Sequence, residues 1–95
     1  MANWEINREL VLSTAHLPDS DRLLLGLDDP GTLVMPYTHG WRIYAETSGL
    51  TRPYSGTLVR LLQLAVDLDC KWLVLDCDGP VMEELETFEW RRAVA

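Results

Sequence analysis

The hydrophobic period of this chain changes twice in its second half, and that change narrows the fold more than any other feature. In GWRIYAE, residues 40–46, apolar and polar residues alternate, so Trp41, Ile43 and Ala45 share one side of an extended strand and Arg42, Tyr44 and Glu46 the other. From residue 58 the period lengthens: Leu58, Leu61, Leu62, Ala65 and Leu68 recur at helical spacing, with Arg60, Gln63 and Asp67 outside the stripe. WLVLDC, residues 72–77, returns to a strand pattern and is expected to be buried on at least one face. A strand, a helix with one apolar stripe and a second strand need a sheet with a helix packed on it.

The first half supplies the remaining layers. ELVLSTAH has the β-branched and apolar content of a strand, and LPDSDRLLLGL follows with Asp19 or Ser20 placed to cap a short helix. DDPG reads as a turn carried by Pro30 and Gly31. TLVMPY then pairs with GWRIYAE through a tight hairpin at Thr38, His39 and Gly40, and Pro36, which lacks an amide hydrogen, assigns the first of the two to a sheet edge. After the last strand, VMEELETFEW offers Leu85, Phe88 and Trp90 for docking on the core.

The resulting order is β-α-β-β-α-β. It predicts a single α+β domain over residues 1–95 with a ferredoxin-like antiparallel sheet, two helices on one face and the other face open. A mixed sheet of different strand order is the alternative. A chain of 95 residues buries about 60–65% of its unfolded surface, enough for one modest core.

Charge is distributed unevenly. Between residues 67 and 89 stand Asp67, Asp69, Asp76, Asp78, Glu83, Glu84, Glu86 and Glu89 against Lys71 alone, while acids and bases cancel in the rest, so one block carries the whole net charge of −7. Such a block repels phosphates, which argues against direct binding of nucleic acid or an anionic membrane, and attracts a basic protein surface. A solvated face that aids solubility has at least equal weight. The absence of a long apolar run or a secretory leader points to a soluble, cytoplasmic protein. Cys70 and Cys77 form neither a CxxC pair nor a Cys/His cluster along the chain, so both are expected to be reduced thiols with at least one of them buried.

Three arrangements of residues could carry chemistry. The strand end Asp76-Cys77-Asp78-Gly79 resembles the signature of haloacid-dehalogenase-like hydrolases, but seventeen residues follow Asp78 and none is a lysine, so the partners that phosphoryl transfer needs have no place in the chain. Asp76 and Asp78 lie on one side of an extended strand and could hold Mg²⁺ or Ca²⁺ through water, a weak site for want of further oxygen ligands. Ser13 or Cys77 with His16 and Asp76 has the composition of a hydrolytic triad. In the antiparallel arrangement the first and last strands are neighbours whose STAH and DCDG ends point opposite ways, so His16 and Asp76 are expected far apart, and His16 is expected to fix its turn by bonding backbone. His39 is expected to be simply exposed. Trp72 alternates away from Leu73, Leu75 and Cys77, which puts it on the open face near Tyr44 and Arg42.

VLSTAHLP, HGWRIYA and CKWLVLDCDGPVMEELETFEW together resemble a family of small proteins from plasmids, phages and other mobile elements, the domain-of-unknown-function family DUF5983. The likeness runs from Val11 to Trp90 and brings no activity, cofactor or catalytic residue with it. It implies a setting in which small acidic proteins blunt host defence, including CRISPR and restriction systems, by occupying basic grooves. The expectation is therefore a non-enzymatic acidic protein without cofactor or metal. It docks on a basic host partner through Asp67, Asp69, Asp76, Asp78, Glu83, Glu84, Glu86 and Glu89, with Tyr44 and Trp72 on the open face. A homodimer formed through that face is the second reading, and a small hydrolase or metal-dependent enzyme the third.

Overall fold

The computed structural model describes residues 6–26, 33–48 and 53–88. The expected turn at Pro30 and Gly31, the expected docking of Trp90 and the carboxylate of Glu89 lie outside them. The fold is α+β, with elements in the expected order: β1 (Glu9–Ser13), a 3₁₀ turn (Thr14–His16), α1 (Asp19–Leu25), β2 (Val34–Tyr37), β3 (Gly40–Tyr44), α2 (Gly56–Asp67) and β4 (Trp72–Asp76). The strands form one sheet in the order β1-β4-β3-β2.

The first and last strands are neighbours, but they run parallel, Glu9 pairing with Trp72 and Ser13 with Asp76. This corrects the purely antiparallel, ferredoxin-like sheet: β3 is antiparallel to both β2 and β4, while β1 is not antiparallel to β4. Alternation along a strand reports which face each side chain takes, and parallel and antiparallel neighbours leave the same alternation. Pro36 does lie in an edge strand.

One face of the sheet carries Leu12, Ile43, Leu73 and Leu75, which form a single core with Leu17, Leu25 of α1 and Leu58, Leu61, Leu62 and Ala65 of α2. Burying a Leu or Ile side chain contributes roughly 1.5–3 kcal/mol, so this cluster is the main source of stability. Trp41 packs half-buried against it and the Arg42 side chain is 38% exposed, the register that the alternation predicts.

Ser55 caps α2 by accepting the Leu58 N–H at 3.2 Å. Its own N–H donates to Asp21 Oδ1 at 2.7 Å and its hydroxyl donates to Asp21 Oδ2, so a fully buried carboxyl of α1 fastens the start of α2. Asp19 and Ser20 do not cap α1; its N-cap is Pro18, and Asp19 and Asp21 occupy the first turn, where acids favour the helix dipole. At the other end of α2 the Cys70 N–H bonds Ala65 O and the Asp69 N–H bonds Val66 O, a Schellman turn with Asp69 in the left-handed region at φ 57°. That turn ends the stripe one residue early and leaves Leu68 exposed. Gly40 opens β3 where a Cβ would stand 1.7 Å from the Leu75 carbonyl oxygen, so no larger residue fits. Among the described residues no helix is long and apolar enough to cross a membrane.

Candidate functional site

Parallel pairing of β1 with β4 brings the STAH corner and the DCDG strand end to the same end of the sheet. The expectation that they leave from opposite ends is thus corrected, and the hydrolytic triad has to be judged on its contacts. Ser13 is buried and its hydroxyl accepts the Ala15 N–H at 3.0 Å, capping the 3₁₀ turn. His16 is fully buried and uses both ring nitrogens on backbone: Nε2 accepts the Met82 N–H at 2.9 Å, which leaves Nδ1 to donate to the Glu86 carbonyl at 2.8 Å. Asp76 accepts the Tyr37 hydroxyl on Oδ2 at 2.7 Å and the Asp78 N–H on Oδ1 at 2.8 Å. None of these bonds joins Ser13, His16 and Asp76 to one another.

The same bonds account for the hydrolase-like strand end. Asp76 closes an Asx turn onto Asp78, and the Gly79 N–H bonds Asp76 O at 2.9 Å. A Cβ on Gly79 would lie 2.6 Å from Leu12 O, so the glycine is required by the approach of this turn to β1. The bonds from Tyr37 and from the Asp78 N–H, with the nearby His39, hold the Asp76 carboxyl below the usual carboxylate range. Partial burial, then the bond to Asp76, push the Tyr37 hydroxyl up to about 12. Tyr37 reaches Asp76 across the row that Tyr37, Gly40 and Asp76 make through the sheet, because Gly40 puts no side chain between them.

Residues 80–88, which run on from this turn, are clamped to the β1 corner. Besides the two His16 bonds, the Ser13 N–H donates to Pro80 O at 2.8 Å and the Phe88 N–H to Ala15 O at 2.7 Å. Leu85 packs on the core, while Glu83, Glu84 and Glu86 are exposed. Asp78 is exposed at the same end, and Arg60 of α2 borders a hollow that Glu84 and Glu86 also line. Asp67 and Asp69 are exposed at the opposite end, before β4 begins. The five residues of β4 separate the two groups by roughly 13 Å or more, at about 3.3 Å per residue. The acidic block of the sequence is therefore two acidic ends in space.

The open face is as expected in content and differs in accessibility. Arg42 lies 4.6 Å over the Trp72 ring and pairs with Glu9 at 2.6 Å, and Tyr44 meets Trp72 edge-on at 5.5 Å. These neighbours leave Trp72 8% exposed, so Tyr44 is the more accessible of the two aromatic residues. Beside them Val11, Met35, Tyr37, Val74 and Asp76 line a shallow cleft of ≈ 520 Å³.

Neither thiol is fully buried, against the expectation that at least one would be: Cys70 is half-buried and Cys77 is exposed. The neighbour of Cys77 is His39, with Sγ 3.8 Å from Nδ1, and Asp78 lies beside both. Sequence reasoning missed this grouping and the part of Tyr37. The hairpin put residues 37 and 39 at one turn, but only the pairing of β3 with β4 sets them against the end of β4.

An α+β sheet domain with one helical face, one open face and an acidic segment clamped at a strand end is thus the class that fold and site define. The chain matches the C-terminal domain of a family of unknown function, DUF5983, over residues 9–90, and belongs to that family. No curated protein and no solved structure matches it.

Proposed function

We propose that this protein is a non-enzymatic docking module whose clamped acidic segment binds a basic protein, such as one with a nucleic-acid groove in a host defence complex, in the cytoplasm. One observation carries the reading: Glu83, Glu84 and Glu86 are exposed on backbone pinned to the β1 corner by four hydrogen bonds of 2.7–2.9 Å, and Asp78 is exposed just before them with its N–H held by Asp76. Carboxylates held on a fixed backbone lose little conformational freedom on binding and present a lasting field to a Lys/Arg cluster. The second end, with Asp67 and Asp69, stands farther away than the ~8 Å screening length at physiological salt, so it contributes little to the same contact. The open face supports dimerisation as the second reading, since Met35 and Tyr37 are exposed at its cleft and Tyr44 is exposed beside Trp72.

The test is an association-rate measurement with a partner captured from host lysate at low salt. Glu83→Gln with Glu84→Gln and Glu86→Gln should slow association about tenfold or more and flatten its salt dependence, while Asp67→Asn with Asp69→Asn should change it little. Circular dichroism should show both variants folded, because exposed charges add little to stability. A folded triple variant that binds as fast as wild type removes the acidic segment from consideration and leaves the open face.

A further inference from the structure

Apart from any docking partner, the geometry points to a mononuclear zinc site built by His39, Cys77 and Asp78. His39 stands in the β2–β3 turn, and Cys77 and Asp78 follow β4; the Cys77 N–H donates to the His39 carbonyl at 2.8 Å and ties the two backbones together. Cys77 Sγ is 3.8 Å from His39 Nδ1, and one donor atom from each of the three residues lies within 4.8 Å of the others. A tetrahedral zinc ion with a thiolate at about 2.3 Å and an imidazole nitrogen at about 2.0–2.1 Å sets those two donors about 3.6 Å apart. Sulfur and nitrogen therefore stand close to ligand spacing already, and Asp78 completes the set by rotation about its own side-chain bonds.

The donor types choose the ion. A thiolate, an imidazole and a carboxylate suit Zn²⁺, whereas Mg²⁺ and Ca²⁺ take oxygen donors. The Asp76 and Asp78 pair is a poor site for those ions, since among the described residues no third carboxylate joins it. Asp76 acts instead from behind the site: it accepts the Asp78 N–H at 2.8 Å, fixing that residue's backbone. Tyr37 packs edge-on to the His39 ring at 6.3 Å and limits its orientations. All three ligands are exposed, so an ion enters directly from solvent. On binding, the Cys77 thiol gives its proton to solvent and ligates as thiolate, and three protein ligands leave one tetrahedral position for water or a partner's side chain.

Metal-stripped full-length protein, kept reduced, is titrated with Zn²⁺ by calorimetry and with Co²⁺ by absorption. One ion per chain is expected, with a sulfur-to-cobalt charge-transfer band. Cys77→Ser should abolish the band, and Cys77→Ser, His39→Ala and Asp78→Asn should each weaken Zn²⁺ binding at least about tenfold, since loss of even an outer-shell partner costs roughly 10–100-fold. Cys70→Ser should leave band and affinity unchanged. Absence of the band, or an affinity unaltered in Cys77→Ser and His39→Ala, overturns the site. If a variant does not fold, wild type alone decides: Zn²⁺ should protect Cys77 and not Cys70 from alkylation, and equal Cys77 rates with and without Zn²⁺ overturn it.

Discussion

Asp76 ends β4 with one oxygen on the Tyr37 hydroxyl and the other on the Asp78 N–H, and this coupling makes a pH prediction at the residue scale. Because its value is depressed in the folded state, Asp76 adds stability above the ordinary carboxylate range, and that contribution is lost as pH falls through its lowered value. Tyr37 acts at the other extreme: its proton is held more tightly in the folded protein, so its contribution is present below the ordinary value of 10.0 and lost as pH rises through about 12. Tyr37→Phe removes the largest cause of the Asp76 shift. Carboxyl NMR titration should then show the Asp76 midpoint moving up toward the usual carboxylate range, with the acid limb of the stability curve moving the same way. An Asp76 midpoint that stays in place in Tyr37→Phe would assign its shift to the Asp78 N–H and the nearby His39.

At the scale of elements, a histidine ring takes the place of a strand ladder. Residues 80–88 form no regular element, yet His16 accepts from Met82 and donates to Glu86, as a neighbouring strand's backbone would. His16→Ala leaves that N–H and carbonyl without their partners at a partly buried position. Each unsatisfied group costs about 1–3 kcal/mol when fully buried, and water reaches the exposed side of this segment, so a total loss of about 1–3 kcal/mol is expected in urea denaturation. Hydrogen exchange should rise at Met82 and Phe88 while α2 stays protected. Uniformly faster exchange, or none, would show that His16 does not hold this segment separately. The link from Asp21 to Ser55 serves the helices in the same manner, joining α1 to the cap of α2 through a buried side chain.

Across the whole molecule, β4 is the strand on which the others depend. It pairs on both sides, with β1 and β3, and Trp72, Leu73, Val74 and Leu75 are all buried, the open-face pair with Arg42 and Tyr44 packed on the Trp72 ring. A strand with these contacts opens only when the domain unfolds. The amides of Leu73 and Leu75 should therefore exchange last, with a free energy equal to that of global unfolding, while those of the edge strand β2 exchange sooner. Faster exchange in β4 than in α2 would place the centre of stability in the helical layer.

The alternation of 40–46, the stripe from Leu58 to Ala65 and the proline at residue 36 determined the elements, the buried faces and one sheet edge, because period and backbone chemistry are local properties that survive in any topology. The same local reading gave His16 its structural part and put Tyr44 and Trp72 on the open face. Strand direction was decided by the tertiary structure alone, since a residue's inward or outward placement is the same beside a parallel or an antiparallel neighbour. Direction in turn decided the site. It set the STAH corner against the DCDG turn, clamped Glu83, Glu84 and Glu86 there and sent Asp67 and Asp69 to the far end. Pairing of β3 with β4 likewise brought His39 to Cys77 and Tyr37 to Asp76 across 38 and 39 residues of chain, a proximity that comes from closing the sheet and leaves no trace in the spacing of the residues.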